Sequence, residues 1–206
     1  MIKMSMKLPK QIAVAVSGGC DSMAALDFLS NNRDVVALHF NHGTEYAPKA
    51  EEVVLEYCRK KEIPLIVGRL EEEIPSGSSK EEFWRDQRYK FFDEASRSLE
   101  GMPIVTCHHL DDLVETWIFT SLHGSSTLIP SVRGKYHRPF LVTRKTDLED
   151  WCDRKEVPFL EDPSNLDTSF MRNFIRHELV PRALRVNPGL PKVLRKKVLN
   201  NPLVID

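Results

Sequence analysis

The sequence predicts an α/β protein: a mostly parallel sheet with helices on both faces, continued by a small helical extension. Two observations carry this. Short runs rich in apolar and β-branched residues, at 12–16 (IAVAV), 35–40 (VVALHF), 64–67 (PLIV) and 103–106 (PIVT), alternate with longer stretches of helical periodicity, which is the pattern of strands joined by crossover helices. Polar clusters (SGGCDS, NHGTEY and CHHLDD) follow three of those runs. In such sheets ligands lie beyond the carboxyl ends of the strands, where the strand order reverses, so the chemistry is expected on one rim.

The first run ends at Ser17-Gly18-Gly19, after which Asp21-Ser22 opens a helical stripe of Met23, Ala24, Leu26, Phe28 and Leu29. The glycines can take positive φ, while Ser17, Ser22 and the free N–H groups of the helix start point into the turn. An anion fits there, a phosphate foremost. The string is neither a Walker A loop, since no Gly-Lys-Ser/Thr follows, nor the Gly-x-Gly-x-x-Gly of dinucleotide folds. The second run ends at Asn41-His42-Gly43, and Pro48 then starts a helix with the stripe Val53, Val54, Tyr57, Cys58. After the third run, residues 71–79 are polar and carry Pro75, Ser76, Gly77 and Ser78, which predicts a mobile loop. Helical character returns at 81–98 with Phe83, Trp84, Tyr89, Phe91 and Phe92. The fourth run leads through His108-His109 into a helix over 110–122.

Beyond Gly124 the pattern changes. Residues 138–141 form a short apolar piece, and Thr146 with Glu149 makes a capping box ahead of a helix bearing Leu148, Trp151 and Cys152. A turn at 161–165 precedes a helix over 168–184. There Phe170 and Phe174 form one i, i+4 pair and Arg172 and Arg176 another. The apolar face is expected to pack and the cationic face to meet phosphate.

The 206 residues suffice for one sizeable core, and the hydrophobic and charged fractions, 41% and 29%, are those of an ordinary globular protein. No apolar run approaches the roughly 18 residues of a membrane span, and residues 1–10 lack a signal-peptide core, so a cytoplasmic protein without membrane contact is expected. Cys20, Cys58, Cys107 and Cys152 are widely spread with no C-x-x-C pair, suggesting neither a zinc site nor a disulfide framework. The formal net charge of −1 conceals an asymmetry: from Phe170 onward eight Lys and Arg face two acids. That excess suits a polyanion held at one edge, or a solvated helix face.

Asp111 or Asp112 with Glu115 stand three to four apart, so their carboxylates share a helix face. At a strand-to-helix junction such acids can hold Mg²⁺ that bridges to phosphates, bind a cationic substrate, or complement the helix dipole. Arg85 and Arg88, three apart beside Tyr89, can hold an anion or pair with surface acids.

Ser17, Gly18, Gly19, Asp21 and Ser22 resemble the pyrophosphate loop of the ATP pyrophosphatases, which split ATP into AMP and pyrophosphate while adenylating a substrate oxygen. The chain also carries Asn41-His42-Gly43, Arg85-x-x-Arg88-Tyr89-x-x-Phe92, His108-His109-x-Asp111-Asp112-x-x-Glu115-Thr116, Gly124-Ser125, Arg138-Pro139-x-Leu141 and Asp162-Pro163-Ser164-Asn165-x-Asp167-x-x-Phe170-x-Arg172-Asn173-x-Ile175-Arg176. This ordered set is similar to the N-terminal catalytic domain of the tRNA(Ile)-lysidine synthetase family, from about Ile12 to Pro188.

The resemblance implies an adenine nucleotide alpha hydrolase-like fold, ATP and Mg²⁺ as cofactors, and tRNA(Ile) and free L-lysine as partners. In the family's reaction ATP adenylates O2 of the wobble cytidine, and the lysine ε-amine then displaces AMP at C2. Ser17, Gly18, Gly19, Cys20, Asp21, Ser22 and His42 would line ATP. Asp21, Asp111, Asp112 and Glu115 would be the catalytic acids, Asp21 and Asp112 toward Mg²⁺ and Asp111 with Glu115 toward lysine or metal, with roles open to exchange. Arg85, Arg88, His108, Arg172, Asn173 and Arg176 would meet substrate or phosphate, and a splayed base could stack on Tyr89 or Phe83. Residues 1–124 would form the catalytic domain, and 125–206 a mainly helical extension that completes it and contacts RNA. Many members continue into domains that grip the tRNA body, and a homodimer is a reasonable source of such surface here. Asn41 stands where the family often has Asp, and His123 where it often has Arg. The alternatives are a thiolase-type tRNA enzyme of the same superfamily, although its iron–sulfur form uses a C-x-x-C pair, and an ATP- or RNA-binding module without turnover.

Overall fold

The computed structural model describes residues 1–72, 74–75 and 79–205. The apolar runs form a parallel sheet: β1 (Gln11–Ala15), β2 (Asp34–Asn41), β3 (Leu65–Arg69) and β4 (Ile104–Val105). Between them lie α1 (Cys20–Ser30), α2 (Ala47–Lys60) and α3 (Lys80–Ser98), and α4 (Leu110–Leu122) follows β4. The downstream segment adds β5 (Val132–Arg133), β6 (Tyr136–His137) and β7 (Val204–Ile205), with α5 (Lys145–Lys155), α6 (Met171–Phe174), α7 (Val180–Val186) and α8 (Leu190–Asn200). The sheet order is β3-β2-β1-β4-β6-β5-β7, with β5 antiparallel to β6 and the other neighbours parallel. The chain therefore leaves β1 toward β2 and later returns to its other side as β4, which puts the topological switch point between β1 and β4.

Alternation along β1 explains why both faces are covered. Ile12, Val14 and Val16 point into a core shared with residues of α1, α2 and α5, whereas Ala13 packs with Leu38, Ile104 and the α3 residues Phe92 and Ala95. The edge is tight as well, since a Cβ on Gly68 of β3 would lie 2.5 Å from the Phe91 ring. A third core joins α4 to α8 through Leu113, Val114, Leu194 and Val198, and draws in Leu141, Val142 and Ile175.

A buried acid fixes α1. Asp27 accepts from the Tyr57 hydroxyl of α2 (2.5 Å), Lys61 Nζ (3.1 Å) and the Trp151 indole of α5 (2.8 Å). Burial works to raise its pKa, but these three donors outweigh that and hold the carboxyl below its ordinary value. The helix that carries the Ser-Gly-Gly turn is thus braced from two sides.

Three expectations need correction. The helix after the 138–141 piece starts at Lys145, with Arg144 as its N-cap and the Asp147 carboxylate accepting the Arg144 N–H at 3.4 Å, so Thr146 lies inside the first turn. The helix expected over 168–184 begins at Met171, runs through a π-helical turn at Ile175–Leu179 and ends at Val186. Pro181 supplies the reason: it has no N–H for the carbonyl four residues back and its ring crowds that carbonyl, which a widened turn relieves. Finally, Phe170 and Phe174 stand at the surface, 38% and 40% exposed, while Ile175, Leu179 and Val180 pack inward. In the segment expected to be a mobile loop, Glu73 and Ser76–Ser78 lie outside the described residues. Ser79 caps α3 by accepting the Glu82 N–H at 3.5 Å.

Candidate active site

The glycine turn closes on itself. The Ser22 hydroxyl accepts the Ser17 N–H at 3.1 Å, lies 3.1 Å from the Ser17 hydroxyl and donates to the Gly19 carbonyl at 2.9 Å. Gly18 has φ +88°, and a Cβ there would stand 3.0 Å from the Ala50 carbonyl oxygen, so the turn requires glycine on both conformational and spatial grounds. Gly19 caps α1 with no side-chain acceptor, which leaves the first helical N–H groups directed at the turn. The Gly18 carbonyl accepts the Leu160 N–H at 2.9 Å, tying the turn to the segment just ahead of the Asp-Pro-Ser-Asn motif.

Across the switch point, His109 caps α4. Its Nδ1 accepts the N–H groups of Asp111 (3.2 Å) and Asp112 (3.3 Å), and Asp112 Oδ2 accepts the His109 N–H at 2.9 Å, a reciprocal capping box. With Nδ1 an acceptor, Nε2 carries the hydrogen, and it lies 3.5 Å from both Asp21 Oδ2 and Asp112 Oδ2. One buried imidazole therefore joins the end of β1 to the end of β4. Burial lowers the His109 pKa, and the surrounding carboxylates, Asp112 foremost, more than reverse this.

Asp112 and Glu115 are buried and share two arginines from the far end of the chain. Arg172 Nη2 binds Asp112 Oδ1 at 2.9 Å and its Nε reaches Glu115 Oε2 at 3.3 Å. Arg176 Nε binds Glu115 Oε1 at 2.7 Å, with Nη2 at 3.2 Å from Oε2. Burial alone would raise the Asp112 pKa, but His109, Arg172 and His108 hold the carboxyl well below the usual range. The acids that meet are thus Asp112 and Glu115. Asp111 turns to the start of α5, accepting the Lys145 N–H at 2.8 Å and pairing with Arg144 at 3.0 Å. The cationic face turns toward α4, where two buried carboxylates need counter-charges, while the Arg172 side chain stays half exposed.

The other sequence-predicted residues divide. His108 joins the site, its Nδ1 3.1 Å from the Thr106 hydroxyl; burial, aided by Arg138, Arg172 and Arg88, pushes its pKa down to about 4. His42 packs edge-on to Phe40, with ring centroids 4.9 Å apart, and lies 5.8 Å from Trp84. Its buried Nδ1 has no hydrogen-bond partner among the described residues, and burial with Arg88 nearby lowers its pKa to about 4. Arg88 has no ion-pair partner among the described residues, and burial with the neighbouring cations Arg85 and Arg172 pushes its guanidinium below the ordinary value. Arg85 is exposed, 5.8 Å over the Tyr89 ring. Asn173 braces the preceding turn, donating to the Asp167 carbonyl at 2.9 Å. Cys20 contributes backbone to the turn while its sulfur faces Cys152. Sequence reasoning missed Arg144 and the nodal role of His109. Only the latter left a signal, since it sits inside His-His-x-Asp-Asp.

Among the described residues no group of three or more His, Cys, Asp or Glu is arranged to cage a metal. A hard ion that arrives with a polyphosphate needs only one or two carboxylates. Asp21 and Asp112, which flank the same imidazole nitrogen, could supply them, and Asp21 Oδ1 is a buried oxygen with no donor among the described residues.

A glycine turn at a helix start, placed at the switch point of a parallel sheet and faced by an acid-bearing helix, defines a phosphate-handling α/β protein of the nucleotide-binding class. Residues 2–183 match the family model of the PP-loop domain, ATP_bind_3, and the chain belongs to that family. It is 34% identical over 204 residues to tRNA(Ile)-lysidine synthase of Thermotoga sp. (strain RQ2), covering 92% of this chain and 49% of that one. It is 35% identical over 194 residues to the enzyme of the same name from Geobacter sulfurreducens, covering 87% and 41%. The chain thus spans less than half the length of these curated relatives. Among solved structures it superposes on the U34-tRNA thiolase NcsA from Methanococcus maripaludis with a TM-score of 0.74 at 15% identity, covering 96% of this chain and 75% of that one. It also superposes on the NH3-dependent NAD synthetase from Campylobacter jejuni, with a TM-score of 0.53 at 15% identity over 95% and 86%. At these identities the two structures share the fold.

Proposed function

We propose that this chain is the catalytic unit of a tRNA(Ile)-lysidine synthetase. It would use ATP to adenylate O2 of the wobble cytidine in the CAU anticodon of tRNA(Ile), after which the ε-amine of free L-lysine attacks C2 and AMP leaves. The observation that carries the reading is the meeting of three distant motifs on one rim: the Ser17–Ser22 turn, the His109-capped acids of α4, and Arg172 with Arg176. The 34–35% identity to lysidine synthases over most of the chain supports it.

The residues divide the work by charge. The turn and the α1 N-terminus receive the pyrophosphate portion, where negative charge grows as the α-phosphorus is attacked. Asp21 and Asp112 are the seats for Mg²⁺, which would neutralise phosphate oxygens. Arg172 and Arg176 supply counter-charge to Asp112 and Glu115 and would stand beside the phosphates. Arg88, a cation without a carboxylate partner among the described residues, is suited to the lysine carboxylate or a phosphate. Glu115 and Asp111, paired here with Arg172, Arg176 and Arg144, would receive the lysine amine by exchanging those partners. The basic surface from Arg182 to Lys197 faces the tRNA backbone, to which a homodimer would add a second copy. Among the described residues no helix is long and apolar enough to cross a membrane, in keeping with a tRNA enzyme at work in the cytoplasm.

The test is release of AMP from ATP and Mg²⁺ with purified tRNA(Ile) bearing CAU, with and without lysine, and with Asp112→Ala as control. Release that needs both tRNA and lysine supports the reading. Release with tRNA but indifferent to lysine contradicts the second step.

A further inference from the structure

Two thiols meet beneath the glycine turn. Cys20 is the first residue of α1, directly after Gly19, and its sulfur lies 3.8 Å from that of Cys152 on α5. Cys152 Sγ is also 3.7 Å from the Cys20 carbonyl oxygen. Both cysteines are free; Cys20 is half-buried and Cys152 buried. The remaining two are set apart from such chemistry: Cys58 is buried in the core and Cys107 Sγ faces the Ala15 carbonyl at 3.5 Å. The sulfurs belong to helices that pack directly on each other, with Trp151 of α5 bonded to Asp27 of α1.

We propose that Cys20 and Cys152 are a modification site: a reversible disulfide, formed by peroxide, that disables the phosphate turn. One sulfur attacks a peroxide oxygen, the O–O bond breaks, and a sulfenic acid forms with release of water. The second sulfur then attacks the first, the S–O bond breaks, and a second water leaves. The thiols lose two hydrogens and two electrons, and the peroxide is reduced to water. Closing the pair to a bond length near 2.05 Å draws the sulfurs together by roughly 1.8 Å. That pull falls on the residue whose N–H opens α1, next to a Gly18 already pinned by Ala50 and by the Leu160 N–H. The helix start cannot shift toward α5 and still present its N–H groups to a phosphate.

Formation of the bond is independent of the function proposed above; only its consequence rests on ATP binding. The purified protein is treated with hydrogen peroxide, remaining thiols are alkylated, and peptides are mapped by mass while ATP binding is followed by calorimetry. The expected result is a Cys20–Cys152 cross-linked peptide with Cys58 and Cys107 alkylated, and loss of ATP binding that dithiothreitol restores. Cys152→Ser should give no cross-link and peroxide-resistant ATP binding. If that variant fails to fold, Cys152→Ala and the wild-type peptide map decide. Absence of the cross-linked peptide, or a cross-link that leaves ATP binding unchanged, overturns the proposal. A reduced protein that binds no ATP at all would instead count against the function, with the peptide map still reporting on the disulfide.

Discussion

Arg176 and Glu115, 61 residues apart in sequence, form a two-pronged ion pair in which Nε meets Oε1 at 2.7 Å and Nη2 meets Oε2 at 3.2 Å. Glu115 is 4% exposed, so removing Arg176 leaves a buried carboxylate with only the 3.3 Å contact to Arg172 Nε among the described residues. Arg176→Ala should lower unfolding stability by roughly 3 kcal/mol, the cost of breaking rather than replacing a buried pair. Arg176→Lys should recover only part, because an ammonium cannot span both oxygens. Urea titration checks both. Equal stability of Arg176→Ala and wild type would show that the pair does not hold the C-terminal segment on α4.

The two glycines of the turn should respond differently to a methyl group. Gly18→Ala forces a left-handed φ on alanine and sets its Cβ 3.0 Å from the Ala50 carbonyl oxygen, for an expected stability loss on the order of 1–2 kcal/mol. Gly19 has φ −80° and its nearest neighbour would be 3.6 Å away, so Gly19→Ala should stay within about 0.5 kcal/mol of wild type. On the proposed function its Cβ would nevertheless stand in the seat of the phosphate, beside the Ser17 hydroxyl. Gly19→Ala should therefore fold normally and bind ATP weakly, a separation that thermal unfolding and calorimetry resolve.

Acid should weaken the fold in two stages. His42 and His108 have pKa values of about 4 in the folded chain against an ordinary 6.5. Between those values the unfolded chain binds more protons at these two sites, so their contribution is complete above about pH 6.5 and falls as pH drops toward 4, while His109, whose pKa is raised, contributes in the opposite sense. The carboxyls of Asp27 and Asp112 lie below their ordinary 3.8, so their contribution is lost only at still lower pH. Urea midpoints measured across this range should fall first in the histidine window. His42→Asn with His108→Gln should flatten that first stage and leave the second.

Arg88 should separate stability from function. Its guanidinium is desolvated without a carboxylate partner among the described residues, so Arg88→Met should leave stability within about 1 kcal/mol of wild type or raise it. The same change should weaken binding of the anion it serves by at least about tenfold, the loss of one charge-assisted hydrogen bond. A large stability loss with unchanged substrate KM would assign Arg88 to the scaffold.

Much of this was legible in the sequence because local rules agreed with the global fold. The strands β1 to β3 are long apolar runs, and the Ser17–Ser22 turn announces itself by its glycines. The two-residue strands β5, β6 and β7 left no periodicity to read; they are placed by pairing across the sheet. The Arg172 and Arg176 stripe was visible as a face, but its direction was not. Helical spacing says which side chains lie together, and only the buried Asp112 and Glu115 decide that they turn inward and leave Phe170 and Phe174 outside. The partition of the acids was likewise unreadable, since it depends on where the start of α5 meets Asp111. The approach of Cys20 to Cys152, 132 residues away, exists only in the packed helices.

The central claim is that this chain joins lysine to a cytidine. The most direct measurement supplies isotopically labelled lysine, ATP, Mg²⁺ and tRNA(Ile) with a CAU anticodon, then digests the tRNA to nucleosides and weighs the product. The account predicts a cytidine heavier by lysine less water, carrying the label, absent without ATP and absent with Asp112→Ala. Unmodified cytidine from a protein that binds both ATP and the tRNA would contradict it.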